Sequence, residues 1–400
     1  MKKKIVIVTG LFPARSETFI RDHALCLAKK GHCVMVVSHG VGSGIKKQEI
    51  DQLKNNGIIF FDVPSLEKSS NSRKIFLCLK ATLKKPTMLR YWRKLETWSR
   101  MELFSGYYIW ERIRELHPDI VHIHFGHRAS ILANFEIKQP VVVTWHGYDV
   151  NCVPKSRGIG IYNNLFQKSW KHTVGSNFAK KRIISLGALD ENVSVIPLGI
   201  DLKHFSFVER QIIADSPFKV ISVGRLDEVK GHKYLIQAVS ELVNSGLKLE
   251  LEIIGDGPLK NELRRLVLAT RNSDNIYLLG AKTSKEVFKR LKTAALFCLT
   301  GIEASNGSIE TQGMVFAEAQ ATGLPVIGSA IGGIPESLIE QKTGFLCPPG
   351  DIQSIKNAIK FFLKNPQVIT EFGREGRNFV EHKFSMINMA DAFEKLYHSL

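Results

Sequence analysis

Residues 4–10 read KIVIVTG, and residues 218–224 read FKVISVG. Each stretch is an apolar run that ends in glycine, which is typical of a buried parallel strand followed by a turn into a helix. Behind each of them, helix-like segments alternate with further short apolar runs. This alternation predicts an α/β fold in which two Rossmann-like, doubly wound parallel sheets follow one another along the chain.

The second of these stretches also predicts the domain boundaries. The segment Pro197–Pro217 shows neither pattern and is predicted to link an N-terminal domain at residues 1–199 to a C-terminal domain at residues 200–385. Apolar residues at helical spacing predict a last helix at residues 386–400, which we expect to pack back on the first domain. Since ligands of open α/β sheets bind beyond the carboxyl ends of the strands, we expect the two domains to face each other across a cleft that collects the functional loops.

The charge of the chain is unevenly distributed. Its 400 residues carry a formal net charge of +17, of which residues 1–200 contribute +16 and residues 201–400 only +1. A one-sided positive field indicates an anionic partner, which could be a nucleic acid, a phospholipid surface or a phosphorylated substrate. The apolar run after the first three lysines is too short for a secretory signal, and no run approaches the ~20 residues of a membrane helix. We therefore expect a cytosolic protein.

Residues 73–100 form the most basic stretch of the chain. Nine lysines and arginines stand there against a single acid, Glu96, and apolar and aromatic residues are interleaved with them. A basic, tryptophan-containing, helix-prone segment fits the surface of an anionic membrane. The residues predicted to contact it are Lys84, Lys85, Arg90, Trp92, Arg93 and Lys94. The alternative is a solvated helix pair whose aromatic side chains pack inward.

The loop at residues 224–231 follows a predicted strand and opens a helix. It begins with Gly224 and carries two cations, Arg225 and Lys230. Cationic side chains beside the free amides of a helix start make a good site for a diphosphate. The alternative is that both are solvated surface cations.

Two glutamates flank a second predicted helix start. Glu310 and Glu318 are eight residues apart, and a continuous helix would separate them by about 12 Å. They therefore cannot act together on one atom, but each could accept from paired hydroxyls at one end of a long ligand. Gly313, between them, would let a backbone approach that ligand. The plainer alternatives are that Glu318 interacts favourably with the dipole of its own helix and that Glu310 is a solvated acidic residue of the loop.

Histidines concentrate at two predicted strand ends of the first domain. His146 ends one strand and could contact a reacting group, although a histidine there is more often hydrogen-bonded within a core. His122, His124 and His127 alternate along the neighbouring strand and its exit, without a carboxylate or cysteine at ligand spacing, so we predict no metal site. The loop at Gly10 does not read G-x-G-x-x-G, which disfavours a nicotinamide dinucleotide.

Several of these motifs together carry a family resemblance. They are E-x7-E at 310–318, VGRL at 223–226 with Lys-Gly at 230–231, GDGP at 255–258, PLGID at 197–201, GGIPE at 332–336, and Asn177. In this combination the chain resembles the retaining glycosyltransferases of family 4, which have the GT-B fold. Within that family, SETF at 16–19, HFG at 124–126 and HGYD at 146–149 are similar to the branch that builds bacterial exopolysaccharides, such as the colanic acid and amylovoran transferases.

The resemblance implies an activity and its partners. A hexose would move, with retention at its anomeric carbon, from a nucleotide sugar to a lipid-linked oligosaccharide or polysaccharide precursor, and a UDP-sugar is favoured as donor. The first domain would bind the acceptor and the second the donor, at an anionic membrane surface on the inner face of the cell membrane. The chain contains no D-x-D, so we expect no metal and no cofactor besides the nucleotide sugar, and no nucleic acid as partner.

The resemblance also implies roles for individual residues. Arg225 and Lys230 would hold the donor diphosphate, Glu318 the ribose and Glu310 the sugar ring, while His146 would sit by the sugar's C6 side and the acceptor. The remaining donor-binding residues would be Gly10, Gly224, Gly313, Met314 and Val315. The acceptor-binding residues would be Ser16, Glu17, Thr18 and His124.

Two other functions remain open at this point. A transferase of the same fold could act on a soluble small molecule, and it would be fully active without lipid. The charge of +17 would also suit a nucleic-acid-binding protein, whose binding to an oligonucleotide would be sensitive to salt.

Overall fold

The structure, a computed structural model, describes residues 2–15, 17–67, 69–92, 98–210 and 216–400. The chain divides into two compact units. The first unit comprises Met1–Gly175, Ala179–Ile196 and Ala390–Leu400, and the second comprises Ser176–Phe178 and Pro197–Met389. The chain therefore leaves the first unit, builds the second, and returns.

A parallel sheet of seven strands forms the centre of the first unit, in the order β3-β2-β1-β4-β5-β6-β7. The strands are β1 Lys4–Val8, β2 Cys33–Ser38, β3 Ile58–Asp62, β4 Ile120–His124, β5 Val141–Thr144, β6 Lys171–Val174 and β7 Val193–Val195. The helices are α1 Thr18–Lys29, α2 Lys47–Asn55, α3 Asn71–Lys84, α4 Arg100–Leu116, α5 Gly126–Leu132, α6 Tyr148–Arg157, α7 Asn163–Phe166 and α8 Asn177–Ser185. The apolar residues of β1 are fully buried, as expected of a parallel strand covered on both faces.

The second unit repeats this plan with six parallel strands, in the order β10-β9-β8-β11-β12-β13. The strands are β8 Phe218–Val223, β9 Leu249–Ile254, β10 Ile276–Leu278, β11 Leu296–Leu299, β12 Val326–Ser329 and β13 Gly344–Cys347. The helices that follow α8 are α9 His232–Asn244, α10 Lys260–Ala269, α11 Ser284–Thr293, α12 Met314–Ala321, α13 Ile352–Lys364, α14 Gln367–Lys383 and α15 Met386–His398. The prediction of two Rossmann-like parallel-sheet domains is confirmed.

The topology of each sheet decides which loops come together. In the first unit, β1, β4 and β5 are neighbours in the sheet. Gly10 lies just beyond the end of β1, Phe125 directly follows β4, and Trp145 directly follows β5. In the second unit, the loop at 224–231 follows β8 and the loop at 300–313 follows β11. The strands β8 and β11 are neighbours in the sheet. Each unit thus gathers chemically distinctive residues at the carboxyl edge of its own sheet.

The predicted linker is not a free tether where the structure describes it. The backbone amide of Leu198 donates to the side-chain oxygen of Gln312 (3.0 Å), and the buried guanidinium of Arg210 donates to the carbonyl of Thr322 (2.7 Å). Burial lowers the pKa of Arg210 to about 10. These contacts fasten residues 197–210 to the second unit.

None of the helices within the described residues combines the length and the apolar character that a membrane span needs.

Candidate functional site

The cationic loop of the second unit is held by a neighbouring loop. The amide of Leu226 donates to the carbonyl of Asp256 (3.0 Å), so the two backbones pair beyond the ends of β8 and β9. A Cβ on Gly255 would lie 1.8 Å from the carbonyl oxygen of Gly224, a distance that no side chain tolerates. The GDGP sequence therefore fixes the start of the loop that carries the two cations.

Lys230 and Glu310 form an ion pair in this unit. Their side chains are each only 18% exposed, and Glu310 also accepts a hydrogen bond from the amide of Gly313 (3.3 Å). Burial opposes the charge of each group, but the attraction between them prevails: it raises the pKa of Lys230 and lowers the pKa of Glu310. A fixed cation and a fixed carboxylate thus stand side by side at the edge of the sheet.

Arg225 is placed differently from Lys230. Its side chain is 70% exposed, and its Nε lies 3.6 Å from the carboxylate of Asp227. Burial raises the pKa of Asp227, although the charges of Lys230 and Arg225 act against that shift. Of the two predicted cations, Lys230 is therefore fixed by a half-buried partner, whereas Arg225 is largely exposed to solvent.

The start of α12 lies close to Glu310. Gly313 caps this helix in the left-handed conformation (φ 70°), and a Cβ there would come within 2.8 Å of the Phe316 ring. The first amides of a helix lack partners within the helix and favour an anion. Met314 and Val315 occupy the first turn and are half-buried, and Glu318 is half-buried one turn later.

In the first unit, His146 lies at the exit of β5 and is anchored by a buried carboxylate. Asp149 accepts hydrogen bonds from the amide of His146 (2.9 Å) and from the amide of Gly126 (2.6 Å). Burial raises the pKa of Asp149 to about 6. Asp149 was not assigned a role from the sequence, although it stands in the HGYD motif and lies in the first turn of α6.

His146 is also hydrogen-bonded to a second histidine. Its Nε2 lies 3.1 Å from Nδ1 of His124, whose Nε2 lies 3.3 Å from Nδ1 of His23. His124 is fully buried, and both of its ring nitrogens are occupied by protein groups. The predicted contact between His124 and an acceptor is therefore not available in this structure, because the ring supports His146 instead.

Three of the histidines are close enough to be tested as a metal site. One ring nitrogen from each of His23, His122 and His124 falls within 4.8 Å of the others. The rings of His122 and His124, however, are stacked at 4.8 Å with only 11° between their planes. Because a histidine coordinates in its ring plane, two parallel rings cannot direct their nitrogens to one ion. This geometry favours a hydrogen-bonded cluster over a metal centre.

A polar cavity of about 390 Å³ opens in the first unit. Its lining mixes acidic, basic and aromatic side chains: Glu17, Glu67, Glu102, Arg128, Arg157, Trp98 and Tyr148. Arg157 donates to both carboxylate oxygens of Glu102 (2.9 and 3.2 Å), so this pair is neutral as a whole. No sequence motif marks this cavity, because its lining comes from segments far apart along the chain.

Arg128 and Gly10 form one wall of this cavity. A Cβ on Gly10 would lie 2.2 Å from the Arg128 guanidinium, and the Nε of Arg128 is buried without a hydrogen-bond partner among the described residues. Burial raises the pKa of Glu17, against the opposing charge of Arg128. Gly10 and Glu17 thus both belong to this cavity, whereas Thr18 is exposed at the start of α1 and Ser16 lies outside the described residues.

The structure turns several of the predicted membrane residues toward the protein. The ammonium of Lys85 lies 3.6 Å from the centre of the Trp110 ring, and the indole N–H of Trp92 donates to the hydroxyl of Thr82 (2.9 Å). Exposed cations also have partners, since Lys84 pairs with Glu111 (2.7 Å) and Arg90 donates to the carbonyl of Asn134 (3.2 Å). Arg93 and Lys94 lie outside the described residues.

The same segment instead presents apolar side chains to solvent. Ile75, Phe76, Leu79 and Leu83 of α3 are each at least 50% exposed, and their spacing places them on one side of the helix. The inward side carries Leu77, Cys78 and Ala81, which are buried. We call the four exposed residues the α3 face. The sequence shows apolar residues among the cations of this segment, but it does not separate the outward stripe from the inward one.

Two family models divide the chain between them. The model described as Glycosyltransferase Family 4 matches residues 16–204, and the model described as Glycosyl transferases group 1 matches residues 206–379. The chain belongs to the family 4 glycosyltransferases. The resemblance inferred from the sequence motifs is thereby confirmed, and the glycosyltransferase has the GT-B fold.

Individual relatives of this glycosyltransferase come from several bacteria. It is 28% identical over 278 residues to WcaL of Escherichia coli K12, named for colanic acid biosynthesis, and the match covers 67% of each chain. It is 26% identical over 365 residues to the amylovoran biosynthesis glycosyltransferase AmsK of Erwinia amylovora, with 88% of each chain covered. The fold is shared with Anabaena HepE, solved in complex with UDP, at a TM-score of 0.74 and 16% identity, over 99% of this chain and 100% of that one.

Proposed function

We propose that this glycosyltransferase moves a hexose from a UDP-sugar to a lipid-linked glycan precursor of an exopolysaccharide, with retention at the anomeric carbon. The observation that carries the proposal is the Lys230–Glu310 pair beside the start of α12. The names of WcaL and AmsK support the exopolysaccharide assignment, and the UDP and UDP-glucose complexes of HepE support the choice of donor.

The second unit supplies the groups that a nucleotide sugar requires. Cleaving the sugar–phosphate bond builds negative charge on the diphosphate, and preorganised cations stabilise that charge in the transition state. Lys230 is already fixed for this role, and the exposed Arg225 can close on the outer phosphate. Glu310 faces the sugar hydroxyls and Glu318 the ribose, since a carboxylate accepts from paired hydroxyls. These positive charges replace a bridging metal ion.

Retention follows from attack on the face that the diphosphate leaves. The acceptor oxygen forms a bond to the anomeric carbon as the bond to the phosphate oxygen breaks. The acceptor's proton passes to that departing oxygen, so the reaction needs neither an enzymatic nucleophile nor a redox partner. The role of the protein is then to hold both substrates and to stabilise the charge on the diphosphate.

The cavity of the first unit fits the sugar end of an acceptor. Its carboxylates accept from hydroxyls, Arg128 donates to ring or hydroxyl oxygens, and Trp98 and Tyr148 offer flat apolar surfaces. The mixed charges suit a neutral polyhydroxylated group better than a nucleic acid, whose phosphates would meet three glutamates. We assign the acceptor's terminal sugar to this cavity.

The α3 face supports attachment to a membrane. Four exposed apolar side chains lie on a helix that also carries the exposed cations Arg73, Lys80 and Lys84. Apolar side chains that insert below the headgroups, flanked by cations that meet anionic lipids, are the two signals that hold a peripheral helix on a bilayer. This combination supports the proposed attachment of the enzyme to the inner face of the cell membrane, where it would meet a lipid-linked acceptor.

A donor screen tests the proposal directly. Thermal unfolding of the full chain is followed with UDP-glucose, UDP-galactose, UDP-N-acetylglucosamine, GDP-mannose and a 20-nucleotide RNA. A ligand that binds the folded state raises the unfolding temperature, so a UDP-sugar should raise it and the RNA should not. Donor hydrolysis measured with and without EDTA should be equal. Stabilisation by RNA alone would contradict the proposal.

A further inference from the structure

A chain of hydrogen bonds runs through the core of the first unit and ends at His146. From His146 it passes to His124 (3.1 Å) and to His23 (3.3 Å), and then from Nε2 of His23 to the hydroxyl of Tyr397 (3.4 Å). The same hydroxyl is bonded to Nδ1 of His122. Residues of β4, α1 and α15 are thereby linked to the residue at the exit of β5.

The chain continues on the far side of His122. Its Nε2 lies 2.6 Å from the hydroxyl of Thr144, which lies 2.6 Å from the hydroxyl of Thr173. We call the seven residues the histidine chain: His146, His124, His23, Tyr397, His122, Thr144 and Thr173. All of them are buried except His146, which is half-buried.

The number of protons in the histidine chain limits its arrangement. Burial lowers the pKa of His23 and of His146 to about 3 and holds the pKa of His122 and of His124 well below the usual value, so the rings are neutral at pH 7. A neutral imidazole or a hydroxyl brings one proton. Seven groups joined by six hydrogen bonds leave one proton over. An interior hydroxyl that accepted from both neighbours would leave its own buried proton without an acceptor, so the favourable arrangement runs every bond in the same direction and leaves the remaining proton at one end.

Thr173 decides that direction. Among the described residues, its hydroxyl has Thr144 as its hydrogen-bond partner. If the bonds ran toward Thr173, its proton would be a buried donor without an acceptor, which is unfavourable. If they run away from Thr173, every inner proton is used, and the remaining one lies on Nδ1 of His146 at the half-buried end.

We propose that the histidine chain fixes His146 as the neutral tautomer with its proton on Nδ1, so that His146 offers a hydrogen-bond donor to the substrate, and that Tyr397 is a positioning residue for this tautomer. The substrate contact rests on the proposed glycosyl transfer; the tautomer does not. Under this arrangement His146 does not act as a general base. It donates to a substrate oxygen, which complements the charge that develops when the diphosphate leaves.

The wild-type protein provides the first test. In full-length protein labelled with ¹⁵N at histidine, two-bond nitrogen–proton correlation spectra at pH 7 distinguish a protonated ring nitrogen from a bare one. We expect His146, assigned with a His146→Gln variant, to show a protonated Nδ1 and a bare Nε2. The opposite tautomer, or an equal mixture of both, would overturn the proposal. A shift of these signals with one equivalent of Zn²⁺ would overturn it in favour of a metal site.

Tyr397→Phe provides the second test, because it removes the linking hydroxyl and keeps the ring. In this variant either direction leaves a ring nitrogen of His23 unpaired, so the preference is lost. We expect both tautomers at His146 and at least a fivefold lower kcat, with less than a twofold change in the donor KM. An unchanged tautomer would refute the role of Tyr397.

Matched variants separate this effect from general loss of packing. Tyr108 is buried and its hydroxyl donates to the carbonyl of Leu77 (2.8 Å), outside the histidine chain, so Tyr108→Phe should leave the His146 tautomer unchanged. If Tyr397→Phe does not fold, Thr144→Val serves instead: it leaves Nε2 of His122 unpaired in either direction, so it should give both tautomers, and Thr144→Ser should restore one. A wild type with the expected tautomer but no glycosyl transfer would refute the proposed function and leave the histidine chain standing.

Discussion

At the scale of single residues, the two cations of the second unit differ in what holds them. Lys230 is fixed by the half-buried carboxylate of Glu310, whereas Arg225 is exposed and its Nε lies 3.6 Å from the carboxylate of Asp227. A fixed charge lowers the barrier without reorganising, and a mobile one must first be ordered by the substrate. The proposed reaction therefore depends on both cations to stabilise the charge on the diphosphate, and Arg225 must in addition move onto the substrate.

Replacing either cation should impair transfer. Lys230→Ala and Arg225→Ala should each cost about 2–4 kcal/mol of transition-state stabilisation, seen as a drop in kcat/KM with the preferred UDP-sugar. Lys230→Ala should also lower thermal stability, because it leaves the half-buried Glu310 without its ion-pair partner. Lys233→Ala, which removes an exposed lysine one turn away on α9, is the matched control and should keep wild-type turnover. Wild-type turnover in Lys230→Ala would refute its role at the diphosphate.

A second prediction at this scale concerns Asp149 in the first unit. Its carboxylate accepts from two backbone amides, and an asparagine can accept with only one of its side-chain atoms. Asp149→Asn should therefore lower the free energy of unfolding by about 1–3 kcal/mol, measured by urea titration. Asp190→Asn, at an exposed carboxylate, should change it little. Equal stability of the two variants would contradict the importance of this anchor.

At the scale of elements, α3 combines two functions on opposite sides. Leu77, Cys78 and Ala81 face the core, while the α3 face is turned to solvent. Exposed apolar residues scattered singly need no explanation, but a contiguous stripe on one helix marks a surface that is covered in use. The aromatic and cationic residues around it mostly serve the fold, because Lys85 and Trp92 pack onto the protein.

The α3 face should determine vesicle binding. The double variant Leu79→Glu and Leu83→Glu introduces two negative charges on the outward side and should abolish co-sedimentation with vesicles rich in anionic lipid, while donor hydrolysis stays normal. Leu268→Glu, at a 61% exposed leucine of α10 in the second unit, is the control. Undiminished sedimentation of the double variant would exclude this face as the attachment surface.

At the scale of the whole molecule, stability should depend strongly on pH. His23, His122, His124 and His146 have pKa values well below 6.5 in the folded state, so the unfolded chain binds more protons below that pH. The free energy of unfolding should fall as the pH drops from 6.5, by roughly 2 kcal/mol for each ring at pH 5. Asp149 acts in the opposite direction between pH 6 and 4, because its pKa is raised, and it offsets only part of this loss.

Urea titrations between pH 7 and pH 5 measure this effect. The loss should be reduced in a His23→Gln variant and unchanged in His382→Gln, which alters an exposed histidine on α14. Equal stability at pH 7 and pH 5 would contradict the lowered pKa values of these four rings in the folded protein.

The sequence predicted the architecture better than the site. Apolar runs that end in glycine carry local information, so the strands expected within residues 4–10 and 218–224 are present as β1 Lys4–Val8 and β8 Phe218–Val223. The motif residues Lys230 and Glu310 were identified, but the ion pair between them was not, because it joins positions 80 residues apart. The histidine chain was missed for the same reason, since it links α1 to α15. Whether the α3 residues face inward or outward depends on packing that periodicity alone did not settle.

The return of residues 390–400 to the first unit has a consequence for biosynthesis. Phe393 and Tyr397 are almost fully buried there, against His23 and His122, so the N-terminal half of the protein is incomplete without them. Proteins are made from the N-terminus, and domains generally fold as they emerge. Here the domain that emerges first must wait, with part of its apolar interior open, until residue 397 has left the ribosome. The second domain can finish earlier, so the order of folding is the reverse of the order of synthesis.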